Sequence, residues 1–148
     1  MKNKKKNKKS IWDVFDFDNS KHSDFRETEK LLVETGEQLE KATHGVLTYD
    51  IWHNSDYINY CLSFYVKSKY LGGYKRKLFS VAFEEDKKPS YSIWNHCDGI
   101  NEQIYFDSII ELQDRIQDEI NKQPVRKIVE NLYAQTKMVM KQNPHLDE

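Results

Sequence analysis

Residues 58 to 67 read Ile-Asn-Tyr-Cys-Leu-Ser-Phe-Tyr-Val-Lys. Ile58, Tyr60, Leu62, Phe64 and Val66 fall on one side of a period-two ribbon, and Asn59, Cys61, Ser63 and Lys67 fall on the other. This alternation predicts a β-strand with one face on a core. The pattern extends in both directions. Val46 to His53 groups Leu47, Tyr49 and Ile51, and Asn54-Ser55-Asp56 makes a turn into the long strand from Tyr57 to Lys67. Gly72-Gly73 separates that strand from Lys75 to Glu84, where Lys77, Phe79, Val81 and Phe83 are expected to share a face. After the polar turn at 85–89 come Tyr91 to His96, the tight-turn pair Asp98-Gly99, and Gln103 to Phe106. Connections this short make neighbouring strands antiparallel.

Helical spacing brackets this block. A first helix is predicted from Asp24 to Ala42 with Ser23 as its N-cap, carrying Phe25, Leu32, Gly36 and Leu39 on one stripe. Gly36 costs about 1 kcal/mol against alanine inside a helix, so its place on the apolar stripe predicts close approach to the sheet. His44-Gly45 is the expected stop. Ser108 to Glu111 reads as a capping box before a helix with Ile109, Leu112, Ile116 and Ile120 aligned. Pro124 suits the first turn of a last helix lined by Val125, Ile128, Val129, Leu132, Thr136 and Val139 and closed by Gln142-Asn143-Pro144.

The resulting fold class is α+β: an antiparallel meander of about four to five strands, with one N-terminal and two C-terminal helices packed on one face. It forms a single domain over residues 23–142. Residues 1–22 are expected to be a disordered basic tail followed by an aromatic–acidic segment, and residues 143–148 a disordered C-terminus. The expected core centres on Leu32, Leu39, Ile58, Tyr60, Leu62 and Phe64, with Phe79, Val81, Ile109, Leu112, Ile116, Ile128 and Leu132.

Charge adds an asymmetry. The 148 residues carry a net −1, but Met1 to Lys9 holds six lysines and no acid. The remainder has 17 basic and 24 acidic residues, a net −7. A basic arm on an acidic body points to association with a charged partner. Abundant lysine, isoleucine and asparagine, all served by A/T-rich codons, suggest a low-GC bacterium, its phages or its mobile elements. No apolar run is long enough to span a membrane. Cys61 and Cys97 have no framework spacing, which suggests a reducing, cytoplasmic setting.

Candidate chemistry lies in two places. Lys67, Lys69, Lys75, Arg76 and Lys77 crowd around the Gly-Gly turn with Tyr70 and Tyr74 between them. Nothing within the segment neutralises these charges, so a nucleic-acid backbone would suit them, with the tyrosines stacking on bases. The second is a set of partner anchors: Trp12, Phe15 and Phe17 among aspartates, and Leu132, Tyr133, Met138 and Met140 on the last helix, which also suits a homodimer. His53 could meet Cys61 across the first hairpin, but no ligand spacing supports a metal, and no catalytic or cofactor motif is present. The expectation is a non-enzymatic binding module whose partner is another protein, the alternative being nucleic acid.

Overall fold

The computed structural model describes residues 10–14, 23–55, 59–84, 86–99 and 102–147. Its elements are α1 (Ser23–Ala42), β1 (Leu47–Ser55), β2 (Asn59–Ser68), β3 (Lys75–Glu84), β4 (Tyr91–Asn95), β5 (Gln103–Phe106), α2 (Leu112–Asn121) and α3 (Gln123–Gln142). The strands form one antiparallel sheet in the order β1-β2-β3-β4-β5, a meander, as the short turns require. The α+β architecture is therefore the one the periodicity predicts. No helix is long and apolar enough to cross a membrane.

The three helices cover the sheet face that carries Leu62, Phe64, Val66, Phe79, Val81 and Ile93, all buried against Leu32, Leu112, Ile116, Val125 and Leu132. Two aromatic ladders run across the strands inside this layer. Tyr49, Phe64 and Phe79 stack at 5.9 and 5.2 Å, and Phe83, Tyr91 and Phe106 follow at 5.0 and 5.4 Å. Leu39, Ile109 and Ile128 pack at the margin of this core, Tyr60 is half-buried, and Ile58 lies outside the described residues. Leu47, which the alternation of β1 groups with Tyr49 and Ile51, is fully buried, and Val46 and Tyr91 join the core as well.

Gly36 sits where the stripe placed it. A Cβ there would run into the Tyr49 ring, so the glycine lets α1 rest directly on β1. The helix ends in a Schellman turn. His44 adopts a left-handed φ of 52°, its N–H donates to the Lys41 carbonyl, and the Gly45 N–H donates to that of Glu40 at 2.8 Å. Thr43 then fastens the corner: its hydroxyl donates to the Leu39 carbonyl at 2.9 Å and accepts the Leu47 N–H at 3.1 Å.

Two local expectations are corrected, at Ser108 and in β3. Ser108 accepts the Ile110 N–H at 3.1 Å and so caps a 3-10 turn, Ile109–Glu111, that leads into α2 rather than capping α2 itself. Ile11–Val14, within the aromatic–acidic segment, form a 3-10 turn closed by the Asp13 N–H on the Ser10 carbonyl. Pro144–Asp147 form another. The larger correction concerns β3. Phe64 pairs with Phe79 but Tyr65 pairs with Lys77, so Leu78 is an extra residue in a β-bulge. It inverts the side-chain phase: Leu78 turns into the core and Lys77 leaves the face of Phe79, Val81 and Phe83.

Candidate binding face of the sheet

Because the odd positions of β1 and the even positions of β2 face the helices, Asp50, Trp52, Tyr65 and Lys67 project from the opposite side. The core residues of α1, α2 and α3 pack on the other side of the sheet. The bulge delivers Lys77 and Lys75 to the side of Trp52, opposite Tyr65 and Lys67. Toward the other edge, Trp94 and Tyr105 project from β4 and β5. Trp52 and Tyr105 are 55% and 52% exposed, a large apolar area to leave in water. Between the two aromatic pairs lie small residues: half-buried Cys61 and the buried Ser63, Ser80, Ala82 and Ser92. The result is a platform with raised aromatic margins and a low centre.

The lysines are held within the face. Lys67 and Lys75 approach the single carboxylate of Asp50 at 3.8 and 3.5 Å. The Lys75 ammonium lies 4.1 Å from the Trp52 ring centre and 4.9 Å from that of Tyr65, and Lys77 lies 5.7 Å from Tyr65. These are cation–π distances. The carboxylate beside the hairpin lysines, Asp50, comes from outside the segment, on the neighbouring strand β1.

The hairpin residues do not form one surface. Lys69 is exposed in the turn, and Tyr70 is half-buried there. Arg76 points to the helix side, where it shares a recess with Tyr74, Ile128 and Gln135. Lys67, Lys75 and Lys77 thus gather around Tyr65, whereas Arg76 and Tyr74 belong to the other side of the sheet.

A hydrogen-bonded row crosses the low centre. The Ser63 and Ser80 hydroxyls are 2.8 Å apart, and the Ser80 hydroxyl is 2.7 Å from His96 Nε2. The bulge supports this row, since the His96 N–H donates to the Leu78 carbonyl at 2.9 Å. Burial, and after it the Lys77 cation, hold the His96 imidazole below the usual histidine value, against an opposing pull from Asp98. A serine next to a neutral imidazole has the parts of a nucleophile, and Ser80 is 1% exposed. The neighbouring Cys97 thiol is pushed up by burial and lies 3.5 Å from the Lys77 carbonyl. Gln103 Nε2 donates to Ser92 at 2.8 Å and completes the polar floor.

The second predicted surface divides similarly. Leu132 is buried in the core, Tyr133 and Met140 pack against it, and Met138 alone of the four is widely exposed, at 61%. The side chains of Trp12, Phe15 and Phe17 lie outside the described residues. Among the described residues no three metal-ligating side chains come together. Trp52, Tyr65, Trp94 and Tyr105 were missed because each occupies the polar phase of its strand, where a single aromatic reads as an ordinary surface residue. No family model, curated protein or solved structure matches this chain.

Proposed function

We propose that this protein is a non-enzymatic, cytosolic binding module that associates with another protein through the helix-free face of its sheet. The observation that carries this reading is the exposure of Trp52 and Tyr105 on a face whose lysines are already paired with Asp50 and with aromatic rings. Protein interfaces are enriched in tyrosine and tryptophan anchors surrounded by mixed polar groups. A phosphate backbone would have to displace Asp50 and draw Lys75 off Trp52 before gaining full contact, and it would meet an acidic body. One carboxylate against three lysines leaves the margin around Tyr65 net positive, which favours an acidic partner segment.

The test is affinity capture from host lysate, with and without nuclease, comparing the parent with the double variant Trp52→Ser, Tyr105→Ser. Both side chains are more than half exposed, so the variant should melt close to the parent. A protein retained after digestion by the parent and lost by the variant is the expected result; hot-spot aromatics cost about 2 kcal/mol or more, roughly 30-fold in affinity. Loss of all retained material on digestion would establish the nucleic-acid alternative. In that case Lys75→Gln with Lys77→Gln should weaken oligonucleotide binding and flatten its salt dependence by about 0.7–0.9 log units per lost phosphate contact.

A further inference from the structure

The geometry points to a separate small-molecule site on the helix side of the sheet: a cleft between α1 and α3 that takes a short single-chain amphiphile with an anionic head, such as a medium-chain carboxylate. The cleft has a volume of about 320 Å³. Its floor is formed by Phe64 and Leu78, two buried core side chains, so the opening reaches the interior of the domain. The bulge is what sends Leu78 there. Leu39 of α1, Ile120 at the end of α2 and Val129 of α3 form apolar walls, and Arg126, Gln38 and Glu130 stand among the lining residues that carry polar groups. An apolar cleft with a few convergent polar groups is the common form of a ligand site, and this volume lies at the small end of the range. It suits one short chain and not a two-chain lipid.

Arg126 selects the sign of the head. Among the described residues it is the one cation lining the cleft, and its contact with Glu130 is loose: Nε to Oε1 is 3.8 Å, too long for a hydrogen bond, with both side chains more than half exposed. Exposed pairs of this kind contribute little, so Glu130 can turn to solvent while the guanidinium takes a carboxylate through two N–H groups. The site is independent of the helix-free face, and its test does not depend on any protein partner.

The full chain is titrated with octanoate, octan-1-ol and octylamine below their aggregation concentrations, with heat of binding and melting temperature as readouts. Octanoate is expected to bind and raise the melting temperature, octan-1-ol to bind about tenfold or more weakly through loss of the charge-assisted hydrogen bonds, and octylamine to bind least. Arg126→Gln should bring octanoate down to the level of octan-1-ol while leaving octan-1-ol unchanged. Val129→Trp, which fills the cleft, should abolish binding of all three; Val129→Phe serves in its place if the first variant fails to show the parent's circular dichroism. The inference is overturned if octanoate does not bind, if the filling variant binds it as the parent does, or if octylamine matches octanoate.

Discussion

At the scale of single residues, Gly36 shows a local penalty offset by a non-local gain. Alanine would recover about 1 kcal/mol of helix propensity, yet its Cβ would press into the root of a Tyr49 ring that is itself stacked on Phe64. Overpacking of this kind costs about 1–3 kcal/mol and spreads along the ladder. Gly36→Ala is therefore expected to lower the melting temperature, and a variant melting above the parent would show that α1 does not rest on β1. His96 gives a second residue-level expectation. Its folded value lies below the unfolded value of 6.5, so the native state favours the neutral ring. The stability this contributes is present above pH 6.5 and is lost as pH falls through the folded value. An NMR titration of the His96 ring should give a midpoint below 6.5, moving upward in Lys77→Met; a midpoint at or above 6.5 would contradict the burial described. Gly36 was legible because its clash partner lies across one helix–strand contact dictated by the apolar stripe. His96 was not, because Ser80 reaches it only through strand pairing.

At the scale of elements, extents and pairings follow from short-range chemistry. Leu62 is fully buried, as the alternation of β2 requires. Leu62→Ala should cost about 2–5 kcal/mol in a denaturant melt, and parent-like stability would remove β2 from the centre of the core. The bulge in β3 was hidden. Lys77-Leu78-Phe79-Ser80-Val81 reads as continuous alternation when Lys77 is counted with Phe79, and a charged residue in the apolar phase is the one local sign of trouble. Tertiary packing decides the issue. Leu78 buries its side chain in the core and Lys77 reaches the Tyr65 ring, so the extra residue satisfies both at the expense of one ladder position.

At the scale of the whole molecule, a buried polar tie connects the sheet to the end of α2. Glu119 is 2% exposed; Asn95 Nδ2 and Lys122 Nζ each donate to its carboxylate at 3.0 Å, and Lys122 also approaches Asp98 at 3.6 Å. Asn95 in turn accepts the N–H groups of Cys97 and Asp98 at 2.6 and 3.2 Å, which shapes the turn leaving β4. Burial opposes the charge on Lys122, but Glu119 and Asp98 outweigh it, and its pKa is raised. A raised lysine contributes stability that is fully present below its unfolded value near 10.5 and is lost as pH rises through the folded one. Lys122→Met should thus melt below the parent at pH 7, with the gap closing as pH climbs above 10.5. A gap constant with pH would mean that the ammonium does not hold the tie.

The sequence by itself determined the order of elements, the antiparallel meander and the face on which the helices stack. Those outcomes depend on periodicity and on turns too short for any other connection, and both are local. It also located a concentration of lysine and tyrosine, but not its geometry. Only the tertiary structure decided that Arg76 and Tyr74 part from Lys67, Lys75 and Lys77, that Asp50 and Trp52 of β1 share those charges, and that Trp94 and Tyr105 join the same surface. The reason is physical. Charge pairing, ring contacts and side-chain direction depend on which strands lie side by side and in what register, and one bulged residue is enough to send a side chain to the opposite face.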